Sequence, residues 1–332
     1  MSIKENPFQK NFVLSTLKIH FFIFVFVLCF NTNQVSKEVG NMKKDYSKWL
    51  IVSDIDGTLN SKFRVLPKRN FEAIKNFTAN GGKFTLASGR LVSSLERNYN
   101  KITANCPAVV LNGAGIYDFK ERKMLWRSTI SDEGRGFTRG ILSGYNRLFN
   151  RVEVGIFFDD CVYIVRQGIL SRGQMLFDKS PYKVTKIDNV SDDGWMKVVF
   201  WSNPVVISHL KNKVSKFGDC NMNFMATSPW SLEMLAKGTH KGVAVLELAK
   251  MLGIEKENVG AIGDYYNDYE MLESVGIPAC AGQAPSKMKQ ICEYVACHCN
   301  KGCVADFINY VTKKADSLLN SDLRSDKNTV LG

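Results

Sequence analysis

The 332-residue chain is 45% apolar and 23% charged, with a formal net charge of +12. That balance excludes a disordered polypeptide and a multispanning membrane protein, and predicts a packed core in one large domain or two ordinary ones. The basic residues are scattered, with no Arg/Lys block interleaved with aromatics, so they describe a diffuse surface field suited to an anionic ligand and no nucleic-acid interface.

Residues 1–45 read as an N-terminal extension. "KIHFFIFVFVLCF", Lys18 to Phe30, carries an unbroken apolar run, but a comfortable transmembrane helix needs about 20 such residues. Lys10 and Lys18 precede it as in a signal peptide, whereas "NTNQVS" is a poor cleavage site. Three readings stay open: a spurious extension with the natural start at Met42, a disordered segment, or a membrane-directed signal or anchor. The nine cysteines have no paired spacing, which argues for reduced thiols. The expected location is therefore cytoplasmic, with membrane anchoring or secretion the alternative if residues 10–30 act as a signal.

Residues 46–118 alternate strand and helix. "KWLIVSD" is a buried strand ending at an acid. "PKRNFEAIKNFTANGG" is a helix with Pro67 in its first turn and Gly81 and Gly82 at its end. "KFTLASGR" is a second strand, "VSSLERNYNKI" a second helix, and "PAVVLNGAGIYD" a third strand with a tight turn. This is the rhythm of a parallel sheet with helices on its faces, whose ligands bind at the carboxyl ends of the strands. Asp54, Ser88 and Asn112 all fall at such ends.

From 119 to 229 the rhythm changes. The strand candidates are "VEVGIFFDDCVYIVR", with a hairpin turn at Asp159 and Asp160, then "YKVTKID", "MKVVFW" and "CNMNFMATS". The helix candidates are "GFTRGILSGYNRLF" and "VVISHLKNKVSKFG". This reads as an inserted α+β module. The parallel pattern resumes over 230–315, with "KGVAVLELAKMLGI" a helix, "VGAIGD" a strand ending at Asp264, "NDYEMLESVG" a short helix, "IPACAG" a strand, and "APSKMKQICEY" and "GCVADFINYVTKKA" helices. Residues 316–332 form a polar tail expected to fray.

The chemistry lies in the strand ends. Asp54 and Asp56 suit a nucleophile and a proton-handling partner at a phosphorus centre. Such close acids are tolerated when a divalent cation lies between them. A hard cation needs further oxygen ligands, and "AIGDYYNDYEML" offers Asp264, Asn267 and Asp268. Ser88, before Gly89 and Arg90, suits phosphate oxygen, and Lys241 in "GTHKG" offers a point charge. "CEYVACHCNKGC" has the soft ligands Cys292, Cys297, His298, Cys299 and Cys303, but no common zinc spacing, and reads as small apolar fillers near a strand end.

Together, DIDGT at 54–58, "TLASGR" with Ser88, "GTHKG" with Lys241 and "GDYYND" at 263–268 resemble the four motifs of the haloacid dehalogenase-like (HAD) superfamily in order and spacing. "LNGAGIYD" and the long insertion between the second and third motifs resemble its Cof-type, class IIB sugar-phosphatase-like branch. The resemblance covers Lys48 to Tyr310. It implies an α/β fold, a Rossmann-like parallel-sheet core with an inserted α+β cap. It further implies a Mg²⁺-dependent hydrolase of a small phosphorylated metabolite, either a sugar phosphate or a phosphorylated cofactor. On that resemblance Asp54 forms an aspartyl-phosphate, and Asp56 protonates the leaving oxygen and then activates water. Asp54, the Asp56 backbone carbonyl and Asp264 hold Mg²⁺. Ser88, Lys241, Gly57 and Asn267 serve the phosphate, Asp268 supports the site, and Asn112 is a substrate-side contact. A phosphohexomutase and a silent scaffold on the same fold are the alternatives. P-type pumps and haloacid dehalogenases lack an acid at the position of Asp56.

Overall fold

The computed structural model describes residues 44–147, 149–215 and 221–330. The apolar segment 18–30, and with it the choice among a signal, an anchor and a spurious extension, lies outside the described residues. No helix among the described residues is long and apolar enough to cross a membrane.

The main sheet is parallel and five-stranded. Its members are β1 (Leu50–Ser53), β2 (Lys83–Leu86), β12 (Val259–Gly263), β13 (Ile277–Cys280) and β14 (Tyr294–Val295), in the order β14-β13-β12-β1-β2. Strands such as LIVS and VGAIG are buried on both faces and therefore read as continuous apolar runs. Alternation along β1 sends Ile51 to one core cluster and Leu50 and Val52 to the other. Helix α1 (Lys68–Ala79) buries Asn70, Ile74 and Phe77 at helical spacing against the first cluster, together with Phe307 and Val311 of α9 (Cys303–Val330). Helices α6 (Lys241–Met251), α7 (Tyr269–Ser274) and α8 (Ser286–Ile291) cover the other face.

Several local expectations are corrected. Pro67 is the residue before the first turn of α1, with ψ 133, because an extended residue must lead into the helix. After α2 (Val92–Lys101), "PAVVLNGAGIYD" is two antiparallel strands, β3 (Ala108–Val110) and β4 (Gly115–Asp118), joined by a 3₁₀ turn and followed by β5 (Lys123–Arg127). This three-stranded sheet meets the chain just past β2 through an isolated parallel bridge, Ala87 to Val109. Residues 316–330, expected as a polar tail, continue α9, which runs to Val330.

The second large sheet is six-stranded, in the order β10-β11-β9-β6-β7-β8. Its strands are β6 (Glu153–Phe157), β7 (Val162–Arg166), β8 (Tyr182–Val184), β9 (Lys197–Trp201), β10 (Met222–Ser228) and β11 (Ser231–Ala236). Helices α3 (Asp132–Gly144) and α5 (Pro204–Val214) pack on one face around Trp195, Phe200 and Leu232. Two strands lie across the boundaries expected at 119 and 229: β5 pairs with β4, and β11 pairs with β9 and β10. Helix α3 starts earlier than "GFTRG", because Ser131 caps it and Asp132 and Glu133 occupy its positive end. Helix α4 (Ile169–Asp178) was not expected at all. Its first turn is capped from a distance by the buried Glu153, whose carboxylate accepts from the Ser171 amide at 2.6 Å and the Leu170 amide at 3.3 Å.

Asn70 joins three segments around the main sheet. It is fully buried, donates to Leu59 O at 2.8 Å and accepts from the Ala305 amide at 2.9 Å. Asn70→Ala strands two buried backbone groups, each worth on the order of 1–3 kcal/mol, and is expected to lower unfolding free energy by about 2 to 4 kcal/mol in urea titration. A loss below about 1 kcal/mol would mean that water replaces both contacts.

Candidate active site

Parallel pairing sets the site. Asp54 continues the β1 ladder, its amide donating to Ile262 O of β12 at 3.0 Å, and Asp264 follows β12 directly. Adjacent parallel strands thus deliver two carboxylates to the same sheet edge. Asp268 joins them, and ligand oxygens of Asp54, Asp264 and Asp268 lie within 4.8 Å of one another. This is the one such group of three or more His, Cys, Asp or Glu side chains among the described residues.

Lys241, the first residue of α6, enters the cluster from the side. Its Nζ donates to Asp54 Oδ1 at 2.7 Å and to Asp268 Oδ1 at 2.5 Å, and it is fully buried. Burial opposes its charge, but Asp268 and Asp54 outweigh that and hold its pKa above the usual range. Asp268 also accepts the amides of Asp264 and Tyr265 at 3.1 and 3.4 Å, which fixes the loop after β12. Thr58 Oγ1 donates to Asp264 at 3.3 Å. Gly57 has φ +87, and a Cβ there would lie 2.3 Å from Asp264 Oδ2, so only glycine lets the turn pass beneath that carboxylate. Its carbonyl accepts from Gln283.

Three carboxylates share one ammonium, and their titration reflects the deficit. Burial and Asp268 push Asp54 well above the carboxylate range against the pull of Lys241. Burial and Asp268 push Asp264 from 3.8 up to about 6. A hard divalent cation fits this donor set, since it would supply the missing positive charge through oxygen ligands. Asp268 is already engaged by Lys241 and two amides, which leaves Asp54 and Asp264 as the carboxylates free to ligate.

A cavity of about 420 Å³ opens between the two large sheets. Asp54, Asp56, Ser88, Asn112, Asp264 and Asn267 line it, so the structure brings these expected residues together. Lys241, Asp268 and Gly57 sit behind that lining. Ser88 is buried, and its Oγ accepts from the Arg90 amide at 3.3 Å, which frees the hydroxyl proton for a ligand. Asp56 is exposed and is gripped by Arg90, with Nε and Nη2 at 3.0 and 2.8 Å from Oδ2, while Arg64 lies 3.7 Å from Oδ1. Cys299 and Cys303 are core residues that back the turn after β1: the Cys303 thiol donates to Thr58 O at 3.2 Å, and the Cys299 amide donates to Gln283 Oε1 at 3.0 Å.

Sequence reasoning missed Arg90, Arg64, Gln283, Lys197 and Glu233. Lys197 in "MKVVFW" and Glu233 in "SLEML" did carry a signal, each being a lone charge in an apolar strand. Alternation along β9 and β11 puts them on the face opposite Val198, Phe200, Leu232 and Met234, toward the cavity.

A parallel sheet with paired aspartates at one edge, an inserted cap and a buried lysine defines a hydrolase of the HAD class. Residues 51–308 match the family of haloacid dehalogenase-like hydrolases, and the chain belongs to that family. It is similar to the 5-amino-6-(5-phospho-D-ribitylamino)uracil phosphatase YcsE of Bacillus subtilis, 22% identical over 76% of this chain and 91% of that one. It is 22% identical to the HMP-PP phosphatase of Escherichia fergusonii, over 79% of this chain and 94% of that one. A solved HAD subclass IIB sugar phosphatase shares the fold, with a TM-score of 0.67 and 18% identity over 79% of this chain and 98% of that one.

The raised Asp264 carries a pH signature. Between 3.8 and about 6 the native state binds more protons than the unfolded chain, so its metal-free stability falls as pH rises through that window. Thermal melts in a chelator at about pH 5 and about pH 7.5 are expected to show this loss, Asp264→Asn to reduce it, and Mg²⁺ to raise the melting temperature more at the higher pH. A parent and an Asp264→Asn protein with the same pH slope would contradict the assignment.

Proposed function

We propose that the protein is a Mg²⁺-dependent phosphomonoester hydrolase acting on a small phosphorylated metabolite. The observation that carries this reading is Asp54 at the strand edge, tied to Lys241 and beside Asp264, with Asp56 two residues on and lining the same cavity. The cavity volume suits a metabolite-sized leaving group. The substrates for which these relatives are named are small phosphorylated molecules with different leaving groups, which supports the reaction class and leaves the leaving group to this chain's own cap.

Lys241 holds Asp54 Oδ1, and on this reading Oδ2 attacks phosphorus. A P–O ester bond breaks as the Asp54–phosphorus bond forms, and Asp56, once released from Arg90 and protonated, gives that proton to the departing oxygen. The Asp56 carboxylate, held in place by Arg90, then takes a proton from water. The water oxygen attacks phosphorus, the Asp54–phosphorus bond breaks, and inorganic phosphate leaves. Ser88 donates to a phosphoryl oxygen, while Lys241 and Asp268 keep Asp54 in position. Asn267 and the Gly57 turn complete the phosphate side, and Asn112 meets the leaving group. Asp54, the Asp56 carbonyl and Asp264 would hold Mg²⁺, which when bound supplies positive charge to the transferring phosphoryl group.

Asp54→Asn is expected to abolish phosphate release from every phosphomonoester. Asp56→Asn is expected to lower kcat by about 10²–10⁴ on alkyl phosphates, and less on p-nitrophenyl phosphate, whose leaving group needs no proton. Equal losses on both substrates would remove the acid role of Asp56. Interconversion of hexose phosphates without phosphate release would replace hydrolase by mutase.

A further inference from the structure

The segment "CEYVACHCNKGC" takes no part in the hydrolytic steps, yet it holds the loop that carries them. Two contacts reach that loop directly. The Cys303 thiol donates to Thr58 O at 3.2 Å, and the Lys62 amide donates to Asn300 Oδ1 at 3.1 Å. A third runs through the half-buried Gln283. Its Oε1 accepts from the amide of Cys299, in the 3₁₀ turn Cys299–Lys301, at 3.0 Å. Its Nε2 donates to Gly57 O at 2.5 Å, and the same NH₂ serves the Asp264 carboxylate.

Gln283 comes from the end of β13, the neighbour of β12. The Ala281 amide donates to Gly263 O at 3.0 Å and so extends that pairing, and the Gly282 amide donates to Cys297 O at 3.1 Å. From this anchored loop the side chain reaches past Asp264, at the end of β12, to the turn after β1. Its partners fix the direction of the amide. Gly57 O and an ionised Asp264 only accept, and the Cys299 amide only donates, so a turned-over amide would set oxygen against oxygen and N–H against N–H. The two groups held by the NH₂ matter to a cation. Gly57, at φ +87, is the residue about which the Asp56 carbonyl turns, and Asp264 is one of the two carboxylates free to ligate. Thr58 Oγ1 steadies the same carboxylate at 3.3 Å.

We infer that Gln283 is a positioning residue for the cation: its amide, aimed by the Cys299 amide, holds the Gly57 turn and the Asp264 carboxylate in register, so that Asp264 and the Asp56 carbonyl can serve one Mg²⁺ ion. The inference rests on the Mg²⁺ reading above and adds to it the role of the cysteine-rich segment, as a bracket behind the ligands. Partners of this kind typically matter to metal affinity by about 10–100-fold. Mg²⁺ demands near-ideal octahedral geometry, whereas Ca²⁺ tolerates irregular sets of oxygens. Ligands that lose their bracket therefore cost Mg²⁺ more than Ca²⁺.

The test is calorimetric titration with MgCl₂ and, separately, CaCl₂ at about pH 7.5, with no substrate present. Gln283→Met keeps the length of the side chain and removes the amide. Its Kd for Mg²⁺ is expected to rise about tenfold or more, and its Kd for Ca²⁺ by less than about threefold. A general structural defect would weaken both cations together. Equal losses, or an unchanged Mg²⁺ affinity, overturn the inference. Gln283→Asn keeps the amide but is one methylene short of spanning Gly57 O and the Cys299 amide. It is expected to shift the ratio of the two Kd values in the same direction, and it decides the matter if Gln283→Met does not fold. A parent that binds neither cation overturns the Mg²⁺ reading and this inference with it. A parent that binds Mg²⁺, with folded variants that keep its ratio, overturns this inference alone.

Discussion

The site depends on one buried ammonium. Parallel strands end at a common edge, and any acids at their ends converge there. Without Lys241 the edge would hold Asp54, Asp264 and Asp268 with no internal counter-charge, in surroundings where Asp54 and Asp268 are almost wholly buried. Lys241 ties the acids of two segments, Asp54 after β1 and Asp268 after β12, into one rigid unit. It leaves the cluster still short of positive charge: burial, with Asp268 beside them, raises Asp54 and Asp264, and the shortage makes the edge receptive to a cation. The lysine sits at the first position of α6, so the return of the chain from the cap is part of the catalytic geometry.

The motifs were legible because their chemistry is local. Asp54 and Asp56 share a turn, as do Asp264 and Asp268, and the strands before them read as apolar runs because a parallel sheet is covered on both faces. What was illegible depends on distant partners. Helix α4 owes its cap to Glu153, a residue of another strand, and exposes Leu176 and Phe177, so its pattern lacks a clear apolar stripe. Residues 231–236 fall beyond the boundary expected at 229 with no strand expected there, whereas as β11 they hydrogen-bond to β9 and β10. Arg90 reads as an ordinary polar residue until the fold brings it onto Asp56.

The two sheets divide the work. The parallel sheet carries the acids, the lysine and Ser88, which in the proposed mechanism act on phosphorus whatever the leaving group. The six-stranded sheet meets this edge with alternate residues of β9 and β11, so a strand can change what it shows the cavity without changing what it packs against Phe200 and Trp195. Relatives with different leaving groups on one fold accord with that separation.

The contacts between the sheets also bear on closure. At the exposed rim, Arg64 stacks on Phe177, and Ser94 donates to Asp178 O at 2.6 Å. In the interior, Lys197 meets Gly89 and Glu233 meets Asn112. Opening the cap would return the Lys197–Glu233 pair to water, where both charges recover hydration, so desolvation works against these contacts in the closed state. The closed state also carries the unpaired Asn112 acceptor. Both terms hold the closed form in check when the cavity contains only water.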